Sequence, residues 1–309
     1  MKKIAVILLA GLVIVTAQPL DSYAGPWTLK QGKAWTEVFS RYSTSKYAYG
    51  SNGNISRWNN GGFQNTWDVE GKLEYGISDN VNFLFGLPYA WTTWKDDYVV
   101  HGNNEKLKNE GFKELNVGLK YRFLQKPVVA AVQVKGYIDM QMTTERSVEP
   151  QISEYGNAVE FRGLVGKSFN INKKTCYVAA ESGFKLKMKG HPNENEYANT
   201  VPVFVECGYA PLDWLMFKGE IDSYFSIPGT GRVKDSAIWR VGPIFSFGGR
   251  GFSSFKKGGE NSINIELLYG QSFYGRGDPD LKKGNPTWPN RDDRVGAVQE
   301  FIFKVQVLF

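Results

Sequence analysis

Over residues 64–76 apolar and polar positions alternate. Trp67, Val69, Gly71, Leu73 and Tyr75 fall on one side of an extended strand, and Thr66, Asp68, Glu70, Lys72 and Glu74 on the other. Successive side chains of a strand point to opposite faces, so a period of two predicts one apolar and one charged face. The same rhythm runs through segments 33–43, 64–77, 81–89, 112–123, 128–140, 157–169, 175–187, 200–210, 214–225, 236–247, 261–272 and 294–309, which makes twelve strands. Their connections alternate in length. Short turns at 78–80, 124–127, 170–174 and 211–213 are separated by long polar loops near 44–63, 90–111, 141–156, 188–199, 226–235 and 273–293. A β-sandwich gives no reason for that alternation. An all-β, antiparallel up-and-down transmembrane β-barrel does, with short periplasmic and long extracellular connections. One connection, 248–259, is long where a short turn is expected.

The apolar faces are nearly free of charge, as hydrocarbon requires. Val81, Phe83, Phe85 and Leu87 form one stripe, Leu115, Val117, Leu119, Tyr121 and Phe123 a second, and Ile263, Ile265, Leu267 and Tyr269 a third. Tyr75, Tyr121, Phe123, Phe169 and Tyr209 end strands beside the short turns and predict a periplasmic aromatic girdle. The last strand carries Phe301, Phe303, Val305, Val307 and a terminal Phe309. That stripe is similar to the C-terminal signal read by barrel-assembly machinery. Pro88, Pro202 and Pro243 each remove a ladder hydrogen bond, and Pro243, central in its strand, marks a bulge or a register change.

The other face predicts a charged, pore-lining lumen. Its acids are Glu37, Asp68, Glu70, Glu74, Glu114, Asp139, Glu160, Glu181, Glu206, Glu220, Asp222, Glu266 and Glu300; its bases are Arg41, Lys72, Lys120, Arg122, Lys135, Arg162, Lys185, Lys187, Lys218, Arg240 and Lys304. Thirteen acids against eleven bases is near balance, which argues against a strongly selective pore built from rings of one sign. Two arrangements are open. The charges form opposed acidic and basic walls in a water-filled channel, or they pair across neighbouring strands and fill a narrow barrel.

Composition changes the picture mainly at the chain's start. Lys2 and Lys3 precede an apolar run over residues 4–15, followed by Ser22-Tyr23-Ala24, the pattern of a cleaved secretory signal peptide. The run is too short for a spanning helix, which needs roughly 20 residues, and no Cys follows it to accept a lipid. Residues 25–309 then form the barrel domain. No later stretch is apolar enough for a helical span, and mean hydropathy is −0.36. The net charge of +6 forms no basic block, so nucleic acid is not an expected partner. Only about eight residues separate Gly25 from the first strand, too few for an N-terminal plug. A constriction is therefore expected from lumen side chains or from loop 90–111, whose residues 103–110 suit a short helix.

Chemistry of other kinds finds little support. A hydrolase needs a nucleophile, a base and an orienting group together, yet only His101 and His191 exist and both fall in predicted loops. No enzyme activity and no cofactor are expected. Asp278, Asp280, Asp292 and Asp293 lack the bidentate Glu and spacing of a calcium loop, so no metal is expected. Cys176 and Cys207 lie on adjacent strands, both outward, either bridged or as two small lipid-facing thiols.

Residues 26–89 resemble outer-membrane transporters of the phenol-degradation MetA-pathway family. The matching features are Trp27-Thr28-Leu29, Gly32-Lys33-Ala34-Trp35, Glu74-Tyr75-Gly76-Ile77-Ser78-Asp79-Asn80 and Gly86-Leu87-Pro88-Tyr89. The resemblance implies a porin-like barrel passing small organic or aromatic molecules, and it supplies no site residues. The function expected is an integral bacterial outer-membrane pore or transporter for small solutes, with both termini periplasmic. Its partners would be outer-membrane lipid, barrel-assembly machinery during biogenesis and a small-molecule solute. The alternative is a structural or adhesive barrel acting through loops 44–63 and 90–111.

Overall fold

A computed structural model of the chain describes residues 25–50, 52–57, 62–95, 106–140, 152, 156–188, 198–230, 233–248, 252, 262–277 and 295–309. The predicted signal peptide, both histidines and the four aspartates of the calcium reading lie outside the described residues.

Fourteen strands follow one another: β1 (Ala34–Tyr49), β2 (Ile55–Arg57), β3 (Phe63–Ser78), β4 (Val81–Lys95), β5 (Lys106–Phe112), β6 (Glu114–Leu124), β7 (Val129–Asp139), β8 (Ala158–Ile171), β9 (Lys174–Lys187), β10 (Thr200–Leu212), β11 (Leu215–Ser226), β12 (Asp235–Phe247), β13 (Ser262–Arg276) and β14 (Val295–Leu308). All pairings are antiparallel. β2 and β3 share one side of β1, and β5 and β6 share one side of β4, so each pair makes a single stave. The result is a closed barrel of twelve staves, sealed where β14 pairs with β1. Backbone bonds between Ala34 and Phe309 complete the seam at 2.9 and 3.1 Å. Closure leaves no free sheet edge.

The outer surface carries the predicted stripes. Leu119, Val134, Phe161, Phe217, Ile221, Val241, Leu267 and Phe303 are all exposed. Aromatic rings gather at two heights. Trp67 and Trp91 lie 5.3 Å apart, with Tyr89 and Phe112 beside them. Tyr75, Tyr121, Phe123, Phe169 and Tyr209 are exposed towards the short turns. The eight steps from Trp67 to Tyr75 span roughly 27 Å along a strand, which tilting shortens to about the height of an outer-membrane apolar band. Among the described residues no helix is long and apolar enough to cross a membrane.

Several sequence expectations are corrected. β1 and β4 run on to Tyr49 and Lys95, into segments expected as loop. Residues 106–110 are not helical: β5 pairs along β4 and extends the wall upwards, so this part of loop 90–111 does not fold into the barrel. Pro88 leaves its mark on the partner stave. Gly86 faces Asn116 and Tyr89 faces Phe112, so residues 113–115 oppose only Leu87 and Pro88. The extra residue is a bulge, and it separates β5 from β6. Pro243 makes none: Val241 faces Tyr269 and Ile244 faces Glu266, the same register on both sides of it. Both cysteines are free, because Cys176 stands opposite Tyr209 rather than Cys207, and Cys176 is buried while Cys207 is exposed.

Candidate functional site: the barrel interior

Alternation delivers the predicted charges to the interior, where they pair across strands. Arg41 on β1 donates to Asp68 on β3 at 2.6 Å and stands 3.8 Å from Glu300 on β14. Lys72 reaches Glu37 at 2.9 Å and Glu70 at 3.6 Å, and Asn116 donates to the same Glu70. Lys218 sits among Glu206 (3.1 Å), Glu220 (2.8 Å) and Glu266 (3.3 Å), and Lys304 shares Glu266 at 2.8 Å. Arg240 bonds Glu220 at 2.9 Å, Asp222 at 3.2 Å and, with its Nε, Glu300. Gly270 lies between β12 and β14 at that level. A Cβ there would stand 2.8 Å from Arg240 Cγ, so glycine opens the path across the stave. Gln306 bridges Glu37 and Glu266, joining these pairs into one network around β10–β14, β1 and β3.

A second cluster occupies β7–β9. Arg162 holds Glu160 at 2.7 Å and Glu181 at 3.1 Å, Tyr137 donates to Glu160, and Lys185 lies 4.4 Å over the Tyr137 ring. Lys135 crosses Gly118, opposite Glu160. Nearer the short turns, buried Lys120 bonds Glu74 at 2.8 Å, and Asn82 donates to the same carboxylate. Asp139 is at the long-loop end, accepting from Gly156 N–H at 2.9 Å. Arg122 departs from expectation. It belongs to the rim, where it donates to the Asp79 carbonyl and the Asn80 side chain and braces the turn after β3. Of the two arrangements left open by the sequence, cross-strand pairing is what the described residues adopt.

Sequence reasoning missed two things here. Lys113 is inward because of the Pro88 bulge, and it lies 3.4 Å from Asp68. The larger omission is at the short-turn end, where residues 25–33 run inside the barrel. This strap is anchored on β3 by Gly32 N–H to the Gly76 carbonyl (2.8 Å), and at the next turn by Thr28 to the Asp79 carbonyl (2.7 Å). Lys120 on β6 donates to the Gly25 carbonyl at 3.3 Å. Trp27 then meets Tyr177 of β9 edge-on, with centroids 6.0 Å apart. β3 and β9 are five staves apart in a ring of twelve, nearly opposite walls, so the strap crosses the lumen.

Around Trp27 the short-turn end closes with an apolar cork. Tyr177, Ala210, Met216, Ile244 and Phe252 form one buried cluster against it. Phe252 belongs to the connection that is too long for a short turn, and its N–H donates to the Asp213 carbonyl at 2.6 Å. The fit depends on two wall glycines. A Cβ on Gly166 would stand 2.7 Å from Trp27, and one on Gly208 would stand 2.1 Å from Tyr177. The expectation that eight residues cannot obstruct the barrel is therefore wrong. Nine extended residues reach about 30 Å, enough for one aromatic anchor to cross.

No family model matches the chain, and no curated protein matches it. Among solved structures it is similar to an outer membrane channel from Pseudomonas putida F1, at 12% identity, covering 94% of this chain and 100% of that one with a TM-score of 0.64. At that identity the likeness is one of fold. The translocator domain of the autotransporter NalP from Neisseria meningitidis (9% identity, 100% and 94% covered, TM-score 0.44) and a FadL homologue from Pseudomonas aeruginosa (12%, 90% and 90%, TM-score 0.40) are too distant to bear on the argument.

Proposed function

We propose that the chain is an integral outer-membrane channel for small organic solutes, held closed at its short-turn end by the strap of residues 25–33. The observation that carries this reading is the barrel interior. A wall apolar outside and charged inside is suited to conduct polar solutes through hydrocarbon, and its obstruction is a single strand of chain rather than a packed domain. Thr28 to the Asp79 carbonyl, Gln31 N–H to the Asp79 side chain, Lys120 to the Gly25 carbonyl and the Trp27–Tyr177 contact hold the strap's first seven residues. A barrel meant only as a scaffold for loops has no need of such a removable cork. The resemblance of residues 26–89 to the MetA-pathway family and the fold shared with a channel agree with this reading. Short turns and both termini would face the periplasm, Phe301, Phe303 and Phe309 would serve the barrel-assembly machinery, and no catalytic step is assigned. Planar-bilayer recording tests it: the wild-type protein should show small, infrequent openings and Trp27→Ala larger or longer ones. A refolded barrel that stays silent with and without the anchor would defeat the reading.

A further inference from the structure

The near balance of lumen charges conceals an imbalance in what reaches the open space. On the wall built by β1, β3 and the Lys113 bulge, the cations are the exposed members of their pairs. The side chains of Arg41, Lys72 and Lys113 are 27%, 35% and 24% exposed, whereas Glu37, Asp68 and Glu300 beneath them are 5% or less. Glu70 is the partial exception at 18%. Phe39 points inward in the middle of this group, between Glu70 and Lys304 on the neighbouring strands. Lys72 Nζ lies 5.0 Å from its ring centroid, Arg41 Cζ 5.7 Å and Lys304 Nζ 5.9 Å.

We infer that this face is a recognition site for small organic carboxylates with an apolar or aromatic body. It rests on the reading of the interior as a solute path and names the solute class. The buried carboxylates hold the cations in place without covering them, so each cation keeps unused donors towards the lumen: an ammonium has three and a guanidinium five. A carboxylate arriving from the lumen accepts from Lys72, Arg41 or Lys113, and its body covers the Phe39 ring. An ammonium solute meets the same cations as repulsion. The exposed acid opposite, Asp222, is already bound to Arg240.

Equilibrium titration of the folded full-length protein in detergent at low salt tests the inference without requiring conduction. Benzoate should bind saturably, benzyl alcohol more weakly and benzylammonium not at all, and added salt should weaken benzoate. Lys72→Gln should weaken benzoate roughly tenfold or more, since a charge-assisted bond is lost, while Lys72→Arg restores it. Phe39→Ala should weaken benzoate several-fold, and Lys167→Gln on the outer surface should leave it unchanged. Should Lys72→Gln fail to fold, Lys113→Gln reports on the same face. Benzylammonium binding as well as benzoate, no binding of either, or benzoate indifferent to both lysine variants overturns the site. Failure of the channel reading shows separately, as silence in the bilayer.

Discussion

Two walls of the same barrel use the same residue types to opposite ends. On β10–β13, Lys218 and Arg240 are almost wholly buried, each shared by three carboxylates. On β1 and β3, Arg41 and Lys72 stand partly exposed above buried acids. A buried cation serving several acids presents almost no surface to a solute. Removing it leaves uncompensated charge in a poorly hydrated place, which is costly. A pair whose cation is partly hydrated loses less when that cation is removed, and its cation keeps binding capacity. The difference teaches that counting lumen charges says little about function, and that the depth of each partner says more.

The comparison breaks most readily at Arg240. Arg240→Met takes from Asp222 its cation, leaves Glu220 to Lys218 and Glu300 to a more distant Arg41, and should destabilise the barrel by about 3–5 kcal/mol, seen as a lower urea midpoint for loss of the folded, heat-modifiable band. Adding Glu300→Gln should recover part of that loss. Trp27→Ala removes the cork's anchor and should cost about 2–3 kcal/mol, below the full value for a buried Trp because Trp27 is only partly buried. Its more telling readout is increased conductance. Gly166→Ala places a methyl against Trp27 and should cost about 1–3 kcal/mol by overpacking, again with increased opening. Lys72→Gln removes one partner of buried Glu37, which keeps Gln306, and should cost about 1–2 kcal/mol while shifting the reversal potential in a potassium chloride gradient away from chloride preference. If Lys72→Gln destabilised as much as Arg240→Met, the contrast between the walls would be lost.

Much of the fold was legible, because a period of two states which face each residue takes, and twelve staves follow from it. Register and reach were less so. The six residues added to β1 and the strand Lys106–Phe112 are polar or mixed, and pairing with β14 and β4 makes them strand where composition suggests loop. Lys113 escaped because a bulge resets alternation locally, and the bulge is caused by Pro88 on another stave. The long connection 248–259 was visible as an irregularity, but Phe252 as its consequence was not. Trp27 was passed over because a plug was equated with a domain. Exposure within an ion pair was not legible at all: alternation gives the face, and only packing decides whether the acid or the base lies uppermost.

Recording from wild-type and Trp27→Ala protein in planar bilayers tests the central claim most directly. A solute channel corked by its own strap predicts sparse, small openings for the wild type and sustained conductance once the anchor is gone. Equal silence from both, with each barrel folded and inserted, would contradict it.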